Sequence, residues 1–96
     1  MRISIQASHI KVTEELNTQI QDKVAKLEHF YENIIDAIVF LHEEGPLKEV
    51  ELKLNVKDNT IFLKEKAETF LTALDNAIDV MKIQLKKHKE KEHKNS

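Results

Sequence analysis

Ile3 and Ile5 alternate with Arg2, Ser4 and Gln6 at the start of the chain, the period of a strand with one buried face. A first strand is expected there, over roughly residues 2 to 7. Thr13 then precedes Glu14 and Glu15, a hydroxyl suited to capping followed by carboxylates that complement the positive end of a helix dipole. Beyond it Leu16, Ile20, Val24, Leu27 and Tyr31 recur at steps of four, four, three and four, an apolar helical stripe. Ile35 to Glu44 is rich in β-branched and aromatic residues and runs into Gly45-Pro46, a pair that stops regular structure. This predicts a second strand. Val50, Leu52, Leu54 and Val56 alternate with Glu51, Lys53 and Asn55 to give a third, and Asp58-Asn59 supplies a tight turn into a fourth beginning at Thr60. Thr69 can cap a second helix, whose stripe is Phe70, Leu74, Ile78, Met81, Leu85 and His88 and which is expected to reach about residue 90.

The order is therefore β-α-β-β-β-α. The first connection is long enough for a parallel crossover and the later strands form a meander. Each helix has one apolar face, so both should pack on the same face of a four-stranded mixed sheet, an α+β fold. If Ala37, Val39 and Leu41 point to the helices, Ile38 and Phe40 lie on the open face, a contact surface or a candidate homodimer seam. Phe30 and Tyr31 close the first helix, where an aromatic is more often core than a base-stacking platform. Ninety-six residues make one domain, expected over residues 1–92 with a frayed tail at 93–96.

Composition excludes much chemistry. With no Cys there is no disulfide or thiolate metal site, and with one Gly, beside Pro46, there is no phosphate-cradling loop. The histidines at 9, 29, 42, 88 and 93 lack the spacing of a zinc helix. No metal, cofactor or small-molecule substrate is expected. Adjacent carboxylates such as Glu14/Glu15 and Glu43/Glu44 point apart on a helix or strand, and the serines have no neighbouring histidine. An enzyme is disfavoured. The N-terminus lacks the apolar core of a signal peptide, and no apolar run approaches the ~20 residues of a membrane span. A cytoplasmic protein without a membrane partner is expected.

Charge adds the strongest functional signal. The chain carries -2 overall, but residues 82–96 hold six Lys against two Glu and so carry +4. Lys82, Lys86 and Lys89 stand at steps of four and three on one side of the second helix, with Lys87 and Lys91 extending the field. Lys23 and Lys26 share a face of the first helix and would border a groove with them if the helices lie side by side. Lysines in a last helical turn also complement the helix dipole, which accounts for Lys89 and Lys91 but poorly for Lys23, Lys26 and Lys82. On charge alone a phosphate-binding surface and a solvated face stand equal. A third reading is a protein–protein module, such as a transcription-factor modulator, acting through an acidic sheet face with Ile38 and Phe40.

The arrangement is similar to double-stranded RNA-binding domains, which place lysines at the start of the second helix. Here that start reads Glu68-Thr69-Phe70-Leu71, so ordinary duplex recognition is not expected. More specifically, the chain resembles the ribosome hibernation-promoting factors, also called ribosome-associated inhibitors, protein Y or sigma-factor modulation proteins. The resemblance rests on Val12 to Leu16, on Lys23-Val24-Ala25-Lys26-Leu27-Glu28-His29-Phe30-Tyr31, on the third-strand alternation, and on Ala73 to Asp79 leading into Gln84-Leu85-Lys86-Lys87-His88-Lys89-Glu90-Lys91. It implies the same β-α-β-β-β-α fold and a stress or stationary-phase protein that docks on the small ribosomal subunit, over the tRNA and mRNA sites, and inhibits translation by occupation. It implies ribosomal RNA phosphates as the partners of Lys23, Lys26, Lys86, Lys87, Lys89 and Lys91, with Lys82 adding charge. Ile83 stands where many family members carry Arg and Val80 where some carry Lys, and the chain resembles the short form of the family.

Overall fold

The computed structural model describes residues 1–94, with side-chain surroundings through residue 90. Four strands, β1 (Arg2–Ala7), β2 (Ile34–Glu44), β3 (Leu47–Val56) and β4 (Asn59–Ala67), form one sheet in the order β1-β2-β3-β4. β1 runs parallel to β2, and the later neighbours are antiparallel. Two helices, α1 (Glu14–Ala25) and α2 (Phe70–Lys94), complete the β-α-β-β-β-α order. Ala37, Val39 and Leu41 of β2 and Val50, Leu52, Leu54 and Val56 of β3 are buried in one core with Ile20 and Val24 of α1 and Leu74, Met81 and Leu85 of α2. The period-two pattern thus fixes which sheet face carries the helices.

Local chemistry sets the boundaries. The Thr13 hydroxyl accepts a hydrogen bond from the Leu16 amide at 3.1 Å, and Thr69 accepts one from the Thr72 amide at 3.1 Å. Each satisfies an amide that the first helical turn leaves without an intrahelical partner. Thr13→Ala is expected to destabilise the domain by about 1 kcal/mol, read as a lowered urea midpoint with unchanged slope. Gly45 turns β2 into β3 at φ 59°, and Asp58 turns β3 into β4 at φ 65°. The second turn is Lys57-Asp58, since Val56 pairs with Asn59. It falls one residue before the expected position because Asn59 already belongs to β4, where its side-chain oxygen accepts from the Thr60 amide at 2.8 Å.

Two further departures concern the ends of elements. α1 stops at Ala25 and tightens into a 3₁₀ turn, Lys26–His29, so Leu27 and Tyr31 reach the core from beyond the α-helix. In β2 the register slips between Ile34 and Asp36. Simple alternation would place Ile35 on the face of Ala37; the irregularity buries Ile34 and leaves Ile35 61% exposed. α2 continues to Lys94, and Leu85 is the last of its residues in the buried core among those described.

Candidate nucleic-acid interface

α1 and α2 lie side by side, and the small buried residues Ala73 and Ala77 occupy part of the core face of α2. The cleft between the helices is lined by Lys23, Lys26, Asp75, Ile78, Asp79 and Lys82. The structure thus brings Lys23, Lys26 and Lys82 together, leaves Lys86 and Lys89 outside this cleft, and adds two carboxylates. Lys23 Nζ lies 2.7 Å from Asp75 Oδ1, an ion pair joining the helices. Its charge is largely committed inside the protein, while Lys26 is exposed. The signal was present in the spacing: Asp75, Asp79, Lys82, Lys86 and Lys89 follow at steps of four, three, four and three, so the face changes sign along α2. An exposed pair of this kind contributes roughly 0.2–1 kcal/mol. Asp75→Asn should release Lys23, costing under about 1 kcal/mol of stability while steepening the log–log salt dependence of RNA binding by up to ~0.7–0.9. Filter binding to single-stranded RNA across a salt series reads this directly; an unchanged slope would show that Lys23 makes no phosphate contact.

Farther along α2 the surface becomes purely cationic and apolar. Phe30, Lys82, Ile83, Lys86 and Lys89 line a shallow groove that no carboxylate enters among the described residues. Lys82 Nζ sits over the Phe30 ring, 4.8 Å from its centroid, a cation–π contact. Phe30 is 49% exposed and Ile83 55% exposed. The expectation that Phe30 belongs to the core is corrected here. The 3₁₀ turn directs its neighbour Tyr31 inward, where the ring is buried and meets His88 edge-on at 5.5 Å, and the adjacent Phe30 is left facing outward.

The seven lysines do not form one stripe. Lys82, Lys86 and Lys89 face the Phe30 groove, whereas Lys87 lies toward β4 with Asn59, Ile61, Gln84 and His88. A single residue step turns a helix by about 100°, which separates Lys87 from Lys86. The side chain of Lys91 lies outside the described residues.

The open sheet face carries Ile38, Phe40 and the 52% exposed Phe62, with a polar ladder from Asp36 through Asn55 to Thr60 at one end. At the other end Glu44, Glu49 and Glu51 meet Lys64 and Lys66, at distances of 3.1 to 3.9 Å. The acidic residues expected to mark this face are therefore substantially neutralised within it. Glu49 is only 3% exposed; its hydrogen bond with Glu44, followed by burial, pushes its carboxyl above the ordinary range. The same hydrogen bond and Lys66 hold Glu44 below that range. The folded state binds the Glu49 proton more tightly than the unfolded chain does, so this group's contribution declines as pH rises from the ordinary carboxylate pKa through the raised one. Glu44 works in the opposite sense, its contribution being lost as pH falls through its depressed pKa. Glu49→Gln keeps a donor for Glu44 and has no proton to lose. It should be more stable than the parent at pH 7, with the advantage shrinking toward pH 4, as measured by urea unfolding at both values; a constant difference would assign the effect to packing.

A β-α-β-β-β-α domain with a cationic helix face beside an exposed aromatic is an architecture suited to binding structured polyanions. The family model described as "Sigma 54 modulation protein / S30EA ribosomal protein" matches residues 3–93, and the chain belongs to that family. It is 29% identical to the ribosome hibernation promoting factor of Pseudomonas putida over 92 residues, covering 96% of this chain and 90% of the relative. It is 30% identical to the protein of that name from Escherichia coli K12 over 91 residues, covering 95% and 96%. Among solved structures, a ribosomal subunit interface protein from Coxiella burnetii superposes with a TM-score of 0.88 at 17% identity, over 94% of this chain and 99% of that one. The Protein Y N-terminal domain from Thermus thermophilus gives 0.84 at 20% identity, over 92% and 99%. These two likenesses concern the fold, and the four strands and two helices agree with it.

Proposed function

We propose that this protein is a ribosome hibernation factor that docks on the small ribosomal subunit, in the tRNA and mRNA channel, and inhibits translation under stress or in stationary phase. It acts by occupation and carries out no reaction. The observation that carries the reading is the surface of Lys82, Lys86 and Lys89 around Phe30, cationic and, among the described residues, free of lining carboxylates, on a member of this family. Lysines of this kind contact phosphates, fix position and read no bases, which suits a shaped RNA channel. Lys26 extends the surface, and Lys87 and Lys91 are further candidates for phosphate contacts. A ribosomal partner places the protein in the cytosol; no helix among the described residues is long and apolar enough to cross a membrane. The alternative, a protein-binding module working through the acidic sheet face, is weakened by the ion pairs that neutralise that face.

Co-sedimentation with purified small subunits tests the proposal. Binding should weaken steeply with salt, by about 0.7–0.9 in log–log slope per phosphate contacted, and the protein should inhibit a reconstituted translation reaction at matching concentrations. Binding to a protein partner in nuclease-treated extract, indifferent to salt and to loss of the lysines, would favour the alternative.

A further inference from the structure

The groove beside Phe30 has a composition that phosphate binding does not require. Its lysines alone would serve a backbone contact, yet they surround a half-exposed aromatic ring and a half-exposed Ile83, side chains whose exposure to water is unfavourable. We propose that this groove is a clasp for one unpaired nucleobase of RNA, the base resting on the open part of the Phe30 ring against Ile83 while Lys86 and Lys89 hold the flanking phosphates. The inference rests on the ribosome-binding reading and adds to it a specific ligand chemistry.

Three observations support this occupant. Every base has a π-face, and an exposed aromatic within a cationic groove is how single strands are held without sequence preference. Lys82 lies over the same ring at 4.8 Å, so its ammonium is fixed near the ring and adds positive potential where a phosphodiester would pass. Among the described residues the groove is lined by three lysines and no carboxylate, whereas the neighbouring cleft is lined by Asp75 and Asp79. An apolar protein segment would gain from Phe30 and Ile83 but has no use for three lysines. A paired duplex would use the lysines but cannot present a base face to the ring.

The test uses the full chain and two probes, a single-stranded RNA dodecamer carrying one 2-aminopurine and a blunt-ended, fully paired RNA duplex with the same number of phosphates. The parent should quench 2-aminopurine fluorescence on binding. Phe30→Ala should weaken binding to the single strand roughly 5- to 150-fold, the range for loss of one base–aromatic stack, at an unchanged salt slope and with less than about a twofold effect on the duplex. Phe30→Trp should restore affinity and quenching. Lys86→Gln with Lys89→Gln should instead lower the salt slope for both probes. Because Phe30 is half exposed, Phe30→Ala should keep the parent's Tm, and Phe30→Trp covers the case in which it does not. Equal affinity of the parent and Phe30→Ala for the single strand would overturn the clasp, as a groove built for a protein segment predicts. An equal loss on both probes would also overturn it. Failure of the parent to sediment with small subunits would reject the ribosomal reading while leaving the oligonucleotide result to stand by itself; sedimentation of the parent with no Phe30 effect on the single strand would reject the clasp alone.

Discussion

Replacing Lys82, Lys86 and Lys89 together with glutamate is expected to remove the protein from small-subunit fractions at physiological salt. All three side chains line the Phe30 groove, so each can neutralise a phosphate on the same stretch of RNA. A hydrogen bond to a charged group contributes about 1.5–3 kcal/mol, so losing even one or two lowers affinity roughly 10- to 100-fold or more. Reversal goes further, because three carboxylates then face a polyanion. Neutral glutamines in the same places should reduce the log–log salt slope by about 2 to 3, three contacts at 0.7–0.9 each. Lys86 and Lys89 are exposed and Lys82 is half-buried, so folding should be nearly unaffected, which a Tm comparison checks. Lys87→Glu, a single reversal at a candidate contact outside the Phe30 groove, gives the comparison. Its side chain lies toward β4, and the change should weaken sedimentation much less. Unaltered sedimentation of the triple variant would remove this surface from the interface.

The largest effect on stability is expected from Leu52→Ala. Leu52 has no exposed surface and sits in the middle of β3, in register with Val39 of β2 and Leu63 of β4. Its side chain faces the layer closed by both helices, so no surface loop can collapse into the space it leaves. Such truncations destabilise by about 2–5 kcal/mol, a large part of the ~5–15 kcal/mol that holds a small domain together. A fall in Tm of roughly 10 °C or more should follow, with an unchanged denaturant slope if the fold is kept. Ribosome binding measured well below that Tm should persist, because no interface lysine is touched. A loss below about 1 kcal/mol would mean that the core repacks there more freely than its burial indicates.

The pattern of the chain carried the fold because nearly every element has a dominant period. β3 shows it best: Val50, Leu52, Leu54 and Val56 all point inward, and each is at most 3% exposed. Less was legible where one residue changes the period. The slip at Ile34–Asp36 and the tightening of α1 after Ala25 are decided by tertiary packing, and no composition signal announces either. Phe30 was misplaced for a different reason. The stripe from Leu16 to Tyr31 already set Tyr31 inward, and Phe30, one position off that stripe, was assigned to the core only because aromatics usually belong there; the space beside His88 is taken by Tyr31. The lysine face was legible as a spacing, but its partition required a third dimension. Only the packing of α1 against α2 shows that Lys23 is held by Asp75, and only the position of β4 shows that Lys87 belongs to another side.

α2 outlasts the core. Leu85 is its last buried core residue among those described, yet the helix runs on to Lys94, and Lys86 and Lys89 both follow Leu85. On the proposed reading, folding and recognition therefore divide this helix by face as well as by length: Lys82 and Ile83 share their turn with the buried Met81 and Leu85, and beyond Leu85 His88 still packs against Tyr31. Lys86 and Lys89 answer to charge and can be exchanged with little penalty to the fold. A lineage of such proteins could retune those positions, residue by residue, without risking the domain that carries them.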